Sequence, residues 1–451
     1  MTTPSTGTTI GRRSGPSGEA GNITSPILAT QGRRPLPPLP APVESSDVGP
    51  RSLADVRRHA RERFEAASLP SSAVEVWRYS RIDALDLTRY TPVSGTLPVT
   101  VPAAPVDPAA EIVVRDGTVE TIRITARAAA QGLQVRRASE IDDALEGPAP
   151  RDGDAHDAIV DLALALAHDA VVVDVPAGAV IAGTIVVVNI LGAPDAVIAT
   201  RLIVRLGADS EAELLERVVG ADVASLILPL AQVSVGEGSR LRFVTVQELG
   251  AQSWQLAHQH LVTGRDATLR SMNVALGGDY ARVRTDAVIT AQGGFNELLA
   301  VYFGEGTQMH DFRTLQHHIA PRTTSELLFK GAVEDTAQSV YSGLIRIGKD
   351  ARGTVANQTN RNLLLSPGAS AESVPNLEIE NNDVKCSHAS AVGPVDDDLR
   401  YYLELRGVPP EDAERLIVIG FFQDVLDRSP VKGLAEQLGQ AVAAKFARRS
   451  A

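Results

Sequence analysis

The chain has 451 residues, 44% hydrophobic and 22% charged, which excludes wholesale disorder and leaves room for two or three domains or one long solenoid. A formal net charge of −12 argues against a nucleic-acid or anionic-membrane binder. A single cysteine, Cys386, excludes a disulfide framework, a paired-cysteine redox site and a cluster held by four cysteines of this chain.

Aromatic residues are only 4% of the chain, so the core must be built mainly from Val, Ile, Leu and Ala. No apolar run reaches the roughly 18 residues of a membrane span, and a soluble cytoplasmic protein is the expectation. Residues 1–50 mix Gly, Ser, Thr and Pro and end in a Pro-rich run over 35–42. Such a segment cannot bury enough apolar surface to offset its ordering entropy and is expected to be a disordered tail, its end open to use as a polyproline-type ligand. Residues 51–155 read as an N-terminal helical and small β region. Ser52 followed by Asp55, with Leu53, Val56, Ala60, Phe64 and Ala67 at spacings of three or four, predicts a capped amphipathic helix that stops before Pro70. Trp77 and Tyr79 are expected to anchor it to the next layer. A hairpin is expected over 111–114 and 118–125, turned at Asp116 and Gly117.

Residues 156–392 carry short Val-, Ile- and Leu-rich segments separated by turns, with few convincing helical stretches. The turn glycines Gly178, Gly207, Gly236, Gly264 and Gly293 recur at a near-constant interval; Pro321 and Gly348 continue the series before a shorter step to Gly368. A repeat of that size without helices predicts a solenoid. At about 3.3 Å per residue one repeat has a contour near 90 Å, which suits a flattened coil of two or more strands, so the expected fold is mainly β: a parallel β-helix flanked by helical regions. Residues 393–451 turn helical. One helix over 396–406 precedes Gly407, a second opens at Pro410 with Ala413, Leu416, Ile417, Gly420 and Phe421 on one face, and a third over 431–448 repeats Leu434, Leu438, Val442 and Phe446. These helices suit either a cap or a docking surface.

No GxxxxGK[ST] loop, GxGxxG turn, HExxH helix, GxSxG elbow or CxxC pair is present. Two polar clusters remain. His310, His317 and His318 suit either a metal or a ladder on the solenoid wall; on a strand, His310 and His318 share one face and His317 takes the other. Cys386 and His388, two positions apart, project to one face of a strand. They are either a soft ligand pair for iron or zinc, which needs further ligands from another chain, or a buried thiol beside a satisfied imidazole.

A family resemblance rests on YFGEGTQMH from Tyr302, LFKGAV from Leu328, NRNLLL from Asn360, PNLEIE from Pro375, VKCSHA from Val384 and YYLELRGV from Tyr401. Over about residues 52–430 the chain resembles the SufB/SufD family. The Cys-Ser-His signature is similar to the SufD branch: SufB-like chains carry a cysteine where this one has Asn360, and a Glu where it has Ala389. The resemblance implies a right-handed parallel β-helix and a non-catalytic scaffold subunit of SUF iron–sulfur cluster assembly. It implies pairing with a SufB-like paralogue through the β-helix, a SufC-like ATPase bound by the C-terminal helices, and neither nucleic acid nor membrane as a partner. No permanently bound cofactor is implied; a transient iron–sulfur cluster at the subunit interface is, with Cys386 and His388 as this chain's share of the metal site. Tyr401, Tyr402, Leu403, Arg406, Gly407, Ala413, Leu416, Ile417 and Phe421 are the expected partner-binding residues. The alternative is a carbohydrate-active β-helix enzyme, with carboxylates and basic residues lining a groove.

Overall fold

The computed structural model describes residues 51–103, 106–141 and 157–447; the expected disordered tail, 1–50, lies outside the described residues. The chain begins with α1 (Arg51–Ala66), then β1 (Pro108–Arg115), β2 (Thr118–Ile124), α2 (Ala126–Ala130), β3 (Gln134–Arg137) and α3 (Ala158–Leu166). A run of strands follows with no helix between them: β4 (Val171–Val175), β5 (Val180–Leu191), β6 (Val197–Leu206), β7 (Glu211–Gly220), β8 (Leu226–Val235), β9 (Arg240–Glu248), β10 (Trp254–Thr263), β11 (Thr268–Ala275), β12 (Tyr280–Ile289), β13 (Phe295–Gly304), β14 (Met309–His318), β15 (Thr324–Val333), β16 (Gln338–Ile347), β17 (Thr354–Leu364), β18 (Ser370–Ile379) and β19 (Val384–Pro394). The chain closes with α4 (Asp397–Glu404), α5 (Pro410–Leu426) and α6 (Leu434–Ala447).

From β4 onward each coil gives one strand to each of two sheets. The 10-stranded sheet runs β19-β17-β15-β13-β11-β9-β7-β5-β1-β2, and the 9-stranded sheet runs β18-β16-β14-β12-β10-β8-β6-β4-β3. The strands pair in parallel from coil to coil; the antiparallel pairs are β1–β2 and β3–β4, at the N-terminal end. The expected parallel β-helix therefore forms, about 8 turns long, with helices at both ends of the sequence. Tight corners explain the glycine period. A Cβ on Gly207 or Gly236 would stand 2.5 Å from backbone of the preceding coil, so only glycine permits that stacking. The shorter step to Gly368 is a change of corner: the earlier members of the series follow β4, β6, β8, β10, β12, β14 and β16, whereas Gly368 lies between β17 and β18.

Parallel sheets bury both faces, and here each outer face is covered by a different terminal region. The N-terminal layer places Phe64, Leu69, Trp77, Ile82 and Leu85, with Ile159 and Leu162 of α3, against Leu226, Leu228, Leu256, Tyr280 and Met309 of the 9-stranded sheet. A buried arginine fastens it: Arg282, held within the sheet by Asp311 at 2.9 Å, donates to the Val76 carbonyl at 2.8 Å and lies 3.8 Å over the Trp77 ring, while Asp311 also accepts from Tyr280 Oη at 2.8 Å. Tyr79 does not share this anchoring role; it is 43% exposed, on backbone with φ 65. On the other side, Val418, Phe422 and Val425 of α5 and Leu434, Leu438, Val442 and Phe446 of α6 cover Leu215, Val244, Met272, Leu299 and Val301 of the 10-stranded sheet. Helix α3 departs from the strand pattern read at the start of the solenoid region. Asp157 caps it by accepting from the Ile159 N–H at 2.9 Å, and residues 158–165 are all buried, so no polar face marks it as a helix. No helix among the described residues is long and apolar enough to cross a membrane.

Candidate functional site at the open end of the β-helix

Alternate residues of each strand line the lumen, whose character changes along the axis. Across its middle coils it is polar. Glu216 accepts from Asn189 at 3.0 Å, Gln259 and Asn273 exchange hydrogen bonds at 2.9 and 3.1 Å, and burial pushes Glu216 up to about 7 against the pull of Asn189 and Thr245. Four rings in contact come next, tilted or edge to face: Tyr302 to Phe312 at 4.7 Å, Phe312 to Phe329 at 5.6 Å and Phe329 to Tyr341 at 5.5 Å between centroids. Gly331 makes room for them, since a Cβ there would run into the Tyr302 ring. Beyond the rings the lumen is polar again. Asn360 donates to Tyr302 Oη at 2.9 Å, Tyr302 Oη donates to Asn362 at 2.7 Å, Asn362 donates to Asn360 at 2.8 Å, and Ser373 donates to Asn360 at 2.7 Å.

The solenoid ends on β18 and β19, each with a sheet neighbour on one side only. In β19, Cys386 stands over Ala356, His388 over Gln358 and Ser390 over Asn360. Cys386 is half-buried against Ile345, Ile347 and Ala356, so its side chain faces the lumen. Strand alternation puts His388 on the same side, and with no coil above it His388 is exposed at the mouth. Burial pushes the Cys386 thiol up, and the backbone of Ala356 opposes that. Thiol and imidazole suit iron, yet among the described residues no group of three or more His, Cys, Asp or Glu is placed to hold a metal. The pair supplies half of a site.

The three histidines of β14 fit ladder positions. His310 and His318 are fully buried in the lumen, while His317 lies on the opposite side of the strand. His310 Nε2 meets the Phe303 carbonyl at 3.2 Å, and His318 meets Thr323 Oγ1 at 2.7 Å and Ser325 Oγ at 2.8 Å. Burial, reinforced by the Lys445 charge, lowers His310 to about 3; burial, reinforced by His317, lowers His318 to about 4.

The expected partner-binding residues divide. Tyr401 and Tyr402 on α4 and Leu416 on α5 are exposed, joined by Leu399 and Leu405. Arg406 stacks 3.5 Å over the Tyr402 ring, and Gly407, at φ 83, ends the turn after α4. Leu403 is partly buried. Ala413, placed by spacing on the same face as Leu416, is instead fully buried, and Ile417 and Phe421 are partly buried against the solenoid. The residue that sequence reasoning missed is Gln358, one coil before His388; stepping back one repeat from His388 finds it.

Residues 189–421 match the family model described as SUF system FeS cluster assembly, SufBD core domain. An iron-sulfur cluster assembly SufBD family protein of Mycobacterium tuberculosis is 38% identical over 216 residues, 46% of this chain and 54% of the relative. The iron-sulfur cluster assembly protein SufD of Escherichia coli is 30% identical over 206 residues, 46% and 49% of the two chains, and SufD of Bacillus subtilis is 29% identical over 218 residues, 48% and 50%. The chain spans about half the length of the curated relatives it matches. The family match takes in the strands of the solenoid from the end of β5, the Cys386–His388 mouth and most of α5, and on it the chain belongs to the SufBD core family of SUF iron–sulfur cluster assembly proteins.

Proposed function

We propose that the chain is a non-catalytic, SufD-like scaffold subunit of a cytoplasmic SUF complex. It pairs with a SufB-like paralogue over the mouth of the β-helix and binds a SufC-like ATPase through residues 393–451. It supports iron acquisition and nascent cluster formation at the paralogue interface. The observation that carries this reading is the terminal coil: two sheet edges without outer neighbours frame one thiol and one imidazole on the lumenal side. Iron and sulfide are cargo here. Cys386 offers a thiolate and His388 a neutral imidazole; with no second cysteine in the chain, the remaining soft ligands come from across the interface. The absent phosphate loop assigns ATP hydrolysis to the partner. The carbohydrate-active alternative draws no support from the buried carboxylates of the walls, because Asp286, Asp311 and Glu297 are each paired with arginine.

The test is reconstitution of the purified complex with iron and sulfide, followed by visible absorption. His388→Ala is expected to lower cluster build-up by about tenfold or more while the β-helix stays folded, and Cys386→Ser to act similarly or more mildly. Wild-type rate and yield in the double variant would make the pair structural and sink the proposal.

A further inference from the structure

Gln358 carries a polar group that nothing in the lumen uses. It is 1% exposed, and neither its Oε1 nor its Nε2 has a hydrogen-bond partner within the chain. Its neighbours Asn360, Asn362 and Ser373 are all engaged with one another or with Tyr302. A buried carboxamide unpaired at both ends is costly and rare, so its presence needs a reason. Its position supplies one. Gln358 is the register partner of His388, on the same lumenal side, one ladder step of about 4.8 Å below. Its Nε2 end crosses the lumen to Gly343, where a Cβ would stand only 2.8 Å away. The amide therefore lies in the lumen one coil below the His388 position.

We infer that Gln358 is a positioning residue for His388. When the ring turns down into the mouth, one ring N–H donates to Gln358 Oε1. That bond selects one tautomer and leaves the other ring nitrogen unprotonated and directed outward, where a soft metal ion can be bound. The inferred contact rests on the ladder register and the unpaired amide; its use in holding iron rests on the scaffold reading.

The test uses the full chain with ¹⁵N-labelled histidine, reading the His388 tautomer ratio from ring nitrogen shifts at neutral pH. Gln358→Met keeps the length and removes the acceptor; it is expected to change the ratio by about fivefold, the equilibrium effect of one hydrogen bond. Gln358→Glu, which retains an acceptor, is expected to restore it. A change of less than about twofold in Gln358→Met overturns the inference. Should that variant not fold, the reciprocal reading is the Gln358 side-chain amide signals in His388→Ala, a change at an exposed position; shifted signals support the contact and unchanged signals overturn it. Reconstitution run in parallel separates the two ideas. An unmoved tautomer with cluster build-up still lost in His388→Ala discards the role of Gln358 and keeps the scaffold reading, whereas a moved tautomer with normal build-up in the Cys386→Ser, His388→Ala double variant keeps the contact and discards its use in holding iron.

Discussion

Glu216 is a carboxyl buried in the lumen among apolar and neutral polar groups, and its protonation is tied to folding. Its ordinary value of 4.5 is raised to about 7 in the fold, mainly by burial. Between those values the folded state holds a proton that the unfolded chain has released, so stability contributed by this group is present at low pH and falls as pH rises from about 4.5 to 7. Glu216→Gln is expected to gain up to about 3 kcal/mol over the parent between pH 5 and pH 8, measured by chemical denaturation at both values. An equal difference at the two pH values would show that the carboxylate is solvated. His310 and His318 work in the opposite sense: lowered to about 3 and about 4, they stay neutral in the fold while the unfolded chain takes up protons below 6.5, so stability is lost as pH falls from there. Strand parity was enough to separate His317 from its two neighbours and to put Cys386 and His388 together. Parity could not say which side is the lumen, because that depends on the facing sheet: Ile345 and Ile347, which cover Cys386, lie on β16, three strands earlier in the chain.

At the scale of elements, α5 and α6 are a wall of the structure as well as a surface. Lys330 Nζ reaches the Phe421 carbonyl at 2.8 Å and Asp424 at 2.6 Å, and Lys445 Nζ reaches the Phe303 carbonyl at 2.7 Å and Gln308 at 2.9 Å, each lysine nearly buried. Removing residues 396–451 uncovers Val244, Met272, Leu299 and Val301 on the sheet's outer face. Such a truncation is expected to bind an apolar dye and to associate, read by fluorescence and light scattering. A monodisperse truncated chain with the parent's melting temperature would show the helices to be a detachable lid. The spacing of four in α6 was legible because its other positions are small or polar. In α5 the run from Leu416 to Phe422 is apolar on nearly every side, so periodicity alone put Ala413 and Leu416 on one face, whereas Ala413 is buried and Leu416 exposed. Helix α3 escaped for a related reason: a helix buried all round has no polar stripe to reveal its turn.

Over the whole molecule, the repeat was the most legible feature, because corner glycines such as Gly207, Gly236 and Gly264 are imposed by backbone contact between coils and leave a count in the sequence. The two ends were less so. At the C-terminal side, Leu399, Tyr401, Tyr402, Leu405 and Leu416 form an exposed apolar set on a molecule whose other large apolar groups are mostly buried. Burial of one such side chain contributes about 1.5–3 kcal/mol, so Leu405→Glu with Leu416→Glu should weaken binding of a SufC-like ATPase by an order of magnitude or more while leaving the melting temperature of the chain unchanged. Calorimetric titration checks this; unaltered affinity would move the docking face elsewhere. The four rings from Tyr302 to Tyr341 bear on traffic through the protein. They stand between the polar middle of the lumen and the Cys386–His388 mouth, so the mouth is a blind cup with no rear exit. Anything seated there arrives and departs by one opening, and loading and unloading cannot be separated in space. They can be separated only in time, by whatever covers and uncovers that rim.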